Sequence, residues 1–382
     1  MKIAYITINN PKNYTSWSGL NYNIYKCLKS AGHSVTCIGP LKKNLKIFFV
    51  IKRMIYGFIG IKFDADRSIS LSKYYSSQVS KKILNKKYDL ILTSDTNSIA
   101  YLNSNLPIVL WLDASFKSWY KHYFFDQLIS KKTLKEGNLN EQKAFNKSSQ
   151  IFVTSKWAKN QILKFYNCSQ NKIKILPFGS NLELNPSLRK ILINKKNRKI
   201  CKIISIGVDW ERKGFDRTIN ICKKLKSKGL NLELRIVGPK ISKNKNIPNW
   251  VKVYGFLDKN NSKNKKFISN LLIDSDFHVL MTKSEAYGVV FAEASAHGIF
   301  NIALNIGGIG GVIKNNVNGK LFKKSINDNE IADYIFRCFK NKNTMKNKIL
   351  NSKRYYESFL DWYKIGKKFN LYLNKNINLK YE

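Results

Sequence analysis

Acidic residues are scarce in this chain: 24 Asp and Glu stand against 68 Lys and Arg in 382 residues, a formal net charge of +44. Such an excess is the usual footprint of a nucleic-acid binder. Here, however, it is nearly all lysine, runs the whole length, and accompanies abundant Asn and Ile, as AT-rich coding produces without functional demand. The expectation is no nucleic-acid partner; the field would act instead on an anionic membrane or a polyphosphate ligand. Paired cysteines are lacking as well. Cys27, Cys37, Cys168, Cys201, Cys222 and Cys338 show no CxxC spacing, which argues against a zinc site or a disulfide frame and points to a reducing cytoplasm. Long apolar runs are also missing. "MKIAYITINNPKN" turns polar too early for a signal peptide and reads as a first strand. "IFFVIKRMIYGFIGIKF" (47–63) is broken by Lys52 and Arg53 and falls short of the roughly 20 residues that span a bilayer. No short-period repeat or low-complexity tract is present.

Hydrophobic residues make up 43% of the chain and aromatics 13%, which implies a globular protein, and its length implies two cores rather than one. Apolar strand-like runs alternate with helical patterns, the βαβ signature of parallel sheets covered by helices. Strands are expected at 2–7, 33–39, 88–94, 106–113, 149–155 and 172–177. The run 20–32 reads as the first helix, ended by Gly32. The polar, basic stretch 181–199, with Pro186, reads as an inter-domain linker. Alternation then resumes with strands at 202–208, 232–238, 251–256, 276–282 and 300–305, and helices near 215–227, 264–273, 288–297 and 328–340. The expected division is 1–180, linker 181–199, 200–354, and a terminal helix and tail at 355–382.

"SEAYGVVFAEASAHG" (284–298) sets a loop at the carboxyl end of a strand against a helix N-terminus, where ligands of open α/β sheets bind. Gly288 keeps side-chain bulk away from the unpaired first-turn amides, including those of Val289 and Val290, and a phosphate fits there. Carboxylates would repel that phosphate. Glu285 and Glu293 are therefore expected to accept hydrogen bonds from hydroxyls at the two ends of a nucleotide sugar. The plainer reading leaves Glu285 in solvent and Glu293 complementing the helix dipole. His297, four residues after Glu293, is placed to share a metal with it or to pack at the helix end, the reading favoured.

These residues resemble glycosyltransferase family four, the retaining nucleotide-sugar transferases (glycosyl transferases group 1) of GT-B fold. "SEAYGVVFAEASAHG" is similar to the family's signature of two glutamates separated by seven residues. The likeness continues through "SIGVDWERKGFDRTI" (205–219), "LELRIVG" (232–238), "VKVYGFLDK" (251–259), "GGIGGVIKNNVNGKLF" (307–322), "SWSGLNYNIYKCLKSAGHSV" (16–35) and "VTSKWAKNQILKFY" (153–166).

The resemblance implies two Rossmann-like domains whose parallel sheets face a central cleft, with a C-terminal helix crossing back to the first domain. It implies that Lys213 and Arg212 stabilise charge on the departing diphosphate, Arg212 standing in for an arginine that Val208 replaces, unless Arg212 is merely a solvated loop residue. Glu285 would hold the transferred sugar, Glu293 the ribose, and the amides from Gly288 to Val290 the phosphate. Gly19 would let backbone approach the diphosphate. The leaving phosphate, not a protein nucleophile, would assist deprotonation of the acceptor, and no metal is expected. Asp113 stands where many members have a histidine; it would bind the donor sugar or the acceptor hydroxyl, or cap the next turn. Gly311 replaces a frequent glutamate, which leaves the donor sugar open.

The expected activity is sugar transfer to a glycan or lipid-linked acceptor, in cell-surface polysaccharide or lipopolysaccharide synthesis, in the cytoplasm or peripherally at the inner face of the membrane. The basic apolar run 41–62 either lies on an anionic membrane or is an ordinary domain helix. Rival readings are a metal-dependent GT-A transferase using "DAD" (64–66) and "DSD" (274–276), an epimerase or phosphorylase of GT-B type, an inactive relative, and a non-catalytic polyanion binder.

Overall fold

Near-continuous apolar runs form the strands, as expected where both faces of a parallel sheet are covered. The computed structural model describes residues 1–43, 47–196, 198–240 and 246–376. The chain divides into two units, Met1–Pro177 together with the chain from Ile365, and Phe178–Lys364.

In the first unit the order is β1 (Lys2–Ile6), α1 (Leu20–Ser30), β2 (Ser34–Ile38), α2 (Ile47–Phe58), β3 (Ile61–Lys62), α3 (Ile69–Ile83), β4 (Leu90–Thr93), β5 (Ile108–Leu112), α4 (Phe116–Tyr123), β6 (Leu128–Ile129), α5 (Lys131–Lys147), β7 (Gln150–Val153), α6 (Lys156–Phe165) and β8 (Ile173–Ile175). Six of the strands form one parallel sheet, β2-β1-β4-β5-β7-β8, and β3 pairs with β6 apart from it. The sheet order reverses between β1 and β4, which opens a crevice at their carboxyl ends. On α1, Leu20, Ile24, Cys27 and Leu28 recur at helical spacing and are buried.

The second unit contains α7 (Leu188–Asn194), β9 (Cys201–Ile206), α8 (Trp210–Lys213), α9 (Phe215–Ser227), β10 (Leu232–Val237), β11 (Val251–Val253), α10 (Ser262–Ile273), β12 (Phe277–Leu280), α11 (Val289–Ala296), β13 (Phe300–Leu304), β14 (Gly319–Phe322), α12 (Asp328–Lys340) and α13 (Lys342–Tyr355). Its parallel sheet runs β11-β10-β9-β12-β13-β14, with the reversal between β9 and β12.

Helix α14 (Trp362–Asn376) starts in the second unit, and its body completes the core of the first. Phe369 is fully buried, with its ring centroid 5.8 Å from that of Trp111 and 5.3 Å from that of Phe152. Asn370 lies 2.7 Å from the ring of His33 and donates to the Ala31 carbonyl at 3.0 Å.

Three expectations change. The stretch 181–199 is not a free linker: Ser187 caps α7, and Ile191 is buried within the second unit, because this short helix has an apolar side to bury. The segment 307–322, where no strand is expected, ends in strand β14, whose register runs from Asn301↔Gly319 to Leu304↔Phe322. The segment 355–382 opens with a π-helical turn, Tyr356–Leu360, before α14 begins, and residues 377–382 lie outside the described residues. All six cysteines are free. Among the described residues no helix is long and apolar enough to cross a membrane.

Candidate functional site

The sheet reversal of the second unit brings the loop after β9 beside the loop after β12. Asp209 caps α8 by accepting from the Arg212 amide at 3.0 Å. The Arg212 carbonyl in turn accepts from the Lys283 amide at 2.7 Å and the Thr282 hydroxyl at 3.1 Å. The Arg212 guanidinium donates to the Ser284 carbonyl at 3.2 Å. The two loops are thus tied through backbone, which fixes the side chains that follow.

Lys213 and Glu285, both buried, form an ion pair between Nζ and Oε2. The Lys213 stem runs over Gly207, where any Cβ would lie 2.7 Å from the lysine Cγ. Only glycine leaves room for the lysine at the strand end. Gly288 caps α11 with φ 87 and ψ 65, a left-handed conformation suited to glycine. Val289 and Val290 open α11, so their amides belong to the first turn, which has no intrahelical carbonyl to bond. The loop is anchored below by Tyr287, which donates to the Phe178 carbonyl at 2.6 Å.

Glu293 is 0% exposed. Its Oε1 accepts from Lys259 Nζ at 2.6 Å, while Oε2 is buried without a hydrogen-bond partner. A buried acceptor left unpaired costs about 1–3 kcal/mol, so Oε2 is fitted for a donor supplied from outside the chain. Lys259 lies in a segment that the sequence singled out, but its pairing partner is 34 residues away, and no local pattern signals it.

Both ring nitrogens of His297 are engaged in hydrogen bonds. Its Nδ1–H donates to the Glu293 carbonyl at 2.7 Å, and Nε2 lies 2.8 Å from the Ser269 hydroxyl. Burial lowers its pKa to about 4, so it is neutral, as packing at a helix end requires. Among the described residues no group of His, Cys, Asp and Glu is arranged to bind a metal. The "DSD" carboxylates are engaged elsewhere: Asp274 bridges Arg198, Lys202 and Arg235, and Asp276 meets Arg198 and accepts from the Lys202 amide. In "DAD", Asp64 accepts from the Tyr120 hydroxyl at 2.6 Å, and Asp66 pairs with Lys43. Val208 is exposed, and Gly311 ends a short 3-10 turn at the surface.

In the first unit a pocket of about 420 Å³ opens at the carboxyl ends of β1, β4 and β5, lined by Trp17, Arg67, Asp95, Asp113, Trp119 and Glu141 among others. The N-cap of α4 is Ser115, not Asp113, so Asp113 belongs to the pocket wall rather than to a helix cap. Trp17, Ser18 and Gly19 are all left-handed, at φ 49, 56 and 84. A run of strained residues of this kind is found where a site over-determines the backbone. Glu141 accepts from the Thr96 hydroxyl at 2.8 Å and the Phe116 amide at 3.0 Å. Burial pushes its carboxyl up to about 7 and raises that of Asp95. Burial works against the charge on Arg67, yet Asp64, Asp95 and Glu141 raise its pKa. Of the residues expected from the sequence, Asp113 lines this pocket and Gly19 does not; Arg67, Asp95 and Glu141 were missed.

Both halves of the chain match known families: residues 20–184 match Glycosyltransferase Family 4, and residues 187–355 match Glycosyl transferases group 1. An uncharacterized glycosyltransferase of Methanocaldococcus jannaschii is 25% identical over 243 residues, 61% of this chain and 62% of that protein. The match thus leaves more than a third of that relative's length uncovered. Sucrose-phosphate synthase from Thermosynechococcus elongatus superposes with a TM-score of 0.71 at 15% identity, over 98% of each chain. Anabaena HepE, solved in complex with UDP and glucose, superposes with a TM-score of 0.66 at 15% identity, over 98% of this chain and 99% of that one.

Proposed function

Because the chain belongs to glycosyltransferase family four and has its GT-B fold, we propose that it transfers a hexose-like sugar from a nucleotide donor to a glycan or lipid-linked acceptor, with retention at the anomeric carbon. The process served is cell-surface polysaccharide or lipopolysaccharide synthesis. The observation that carries the reading is the buried, partnerless Oε2 of Glu293, an acceptor that a ribose hydroxyl would satisfy.

The remaining roles follow from charge. Breaking the anomeric C–O bond leaves negative charge on a nucleoside diphosphate, and preorganised cations and amides stabilise it without reorganising. Lys213, held by Glu285, and Arg212 supply the cations; the amides of Val289 and Val290 supply dipoles at the positive end of α11. Glu285 accepts hydroxyls of the sugar. The acceptor hydroxyl loses its proton to the departing phosphate oxygen on the same face, so no protein nucleophile is required. Asp113 and its neighbours in the first-unit pocket receive the acceptor, and Gly19 gives backbone access to the diphosphate.

The test is a thermal-shift screen of the purified protein against common nucleotide sugars, repeated with Glu285→Ala and Glu293→Ala. A ligand of the native state raises the melting temperature. No shift with any donor would overturn the assignment, and undiminished shifts in both variants would remove the roles given to the two glutamates. Release of nucleoside diphosphate with an α-linked product from an α-linked donor distinguishes retaining transfer from epimerisation.

A further inference from the structure

Helix α2 is built inside out. Its buried side is narrow: Phe49 and Tyr56, two turns apart, stack on Phe63 with centroids at 6.4 and 5.4 Å. The opposite side carries Ile47, Val50, Ile51, Met54, Ile55 and Phe58, all exposed, with Phe58 at 88%. These positions recur at intervals of three and four, so they form one apolar stripe along the helix. Soluble surfaces leave single apolar side chains exposed but rarely gather so many in one patch. The patch continues beyond the helix: Ile59 is exposed, and Leu128, exposed at 70%, pairs through β6 with Ile61 of β3.

Charge selects the occupant. Lys52 and Arg53 lie on either side of the stripe, beyond its edges, each about 130° around the helix from its centre at 100° per residue. Lys52 Nζ stays 4.1 Å from the Phe48 ring centroid. Residues 1–63 contain no aspartate or glutamate, against ten lysines and arginines. A second copy placed face to face would oppose like charges across the patch. An anionic bilayer offers acyl chains to the stripe and phosphates to its basic flanks, the arrangement of helices that lie in the membrane interface. The 12 residues of α2 are too few to cross the hydrocarbon core, which takes about 20.

We propose that α2 docks the protein on an anionic lipid surface, lying in the plane of the interface with its outer stripe among the acyl chains. The inference is independent of the sugar chemistry, and its test contains no nucleotide. The full chain is sedimented with phosphatidylcholine vesicles, with and without phosphatidylglycerol, at low and at high salt. Binding to the mixed vesicles is expected, weaker by about tenfold on phosphatidylcholine alone or in high salt. Ile51→Asp with Phe58→Asp reduces it by at least about tenfold, while Phe256→Asp, at an exposed apolar position of the second unit, leaves it unchanged. Circular dichroism checks the fold of each variant. Lys52→Glu with Arg53→Glu, which spares the apolar stripe, gives the same loss on mixed vesicles if the first pair misfolds. The proposal is overturned if the wild type ignores mixed vesicles or if folded variants bind as well as it does. It is equally overturned if the wild type is a dimer in solution that Ile51→Asp with Phe58→Asp separates.

Discussion

Replacing Lys259 by methionine isolates the energetic problem at Glu293. The carboxylate is 0% exposed, has one oxygen on Lys259 Nζ at 2.6 Å, and has no hydrogen-bond partner for the other. Without the ammonium, a buried charge is left without a partner, and breaking a buried pair in this way costs about 3–5 kcal/mol. The reciprocal change, Glu293→Gln, strands a lysine that keeps 16% of its side chain exposed and still has an amide oxygen to bond, so about 1–2 kcal/mol is expected. In a unit of this size 1 kcal/mol moves the melting temperature by about 2–4 °C. Lys259→Met should therefore lower it by roughly 6–20 °C and Glu293→Gln by roughly 2–8 °C. The double variant should be more stable than Lys259→Met alone, since neither charge remains. Calorimetry near neutral pH provides the check. Equal costs for the two single changes, or additive costs in the double, would refute the assignment of an obligate buried pair.

Other consequences are as direct. Burial holds Glu141 at about 7 against an ordinary 4.5, so the folded state keeps a proton that the unfolded chain releases. The first unit should lose about 3 kcal/mol as pH rises from about 4.5 to about 7; Glu141→Gln should flatten that slope in denaturant titrations, and an unchanged slope would contradict it. Gly288→Ala forces a left-handed alanine, at about 1–2 kcal/mol, and sets a Cβ 2.7 Å from the Phe291 ring and 3.2 Å from Glu285 Cγ. Nucleoside diphosphate affinity, read by calorimetry, should fall at least about tenfold. Glu285→Gln leaves Lys213 unneutralised, so diphosphate binding should hold or strengthen while turnover falls by about 100-fold; a parallel loss of both would show a purely structural role.

Buried parallel strands were legible because their apolar runs are nearly unbroken, and α9 and α12 because their apolar positions keep helical period. α13 escaped: its Lys- and Asn-rich sequence buries little beyond Met345, Ile349, Ser352 and Lys353. The stretch 181–199 misled because one proline and several charges outweigh Ile191, whose role shows only in three dimensions, where a Cβ at Gly298 would lie 3.2 Å from side-chain carbons of both Ile191 and Ile349. The signature loop was readable because Glu285, Gly288 and Glu293 are contiguous. Arg67, Asp95 and Glu141 were not. They come from three separate segments, and each alone resembles an ordinary surface charge until burial and mutual proximity are known.

Lysine pairing answers the electrostatic difficulty that the signature loop poses. Two like charges about 5 Å apart at an effective dielectric of about 20 repel by about 3 kcal/mol, so two bare carboxylates flanking a diphosphate would work against binding. Neither is bare: Glu285 is matched by Lys213, and Glu293 by Lys259. Each pair is neutral overall yet presents two different ends, an ammonium that attracts phosphate and a carboxylate that accepts from hydroxyls. A site built from such pairs favours a ligand carrying phosphate and diol together over inorganic phosphate, which has no separate diol for the carboxylates, and over a free sugar, which has no charge for the lysines. The wider charge of +44 attracts every polyanion alike, so discrimination falls to these two short-range pairs rather than to the field of the whole chain.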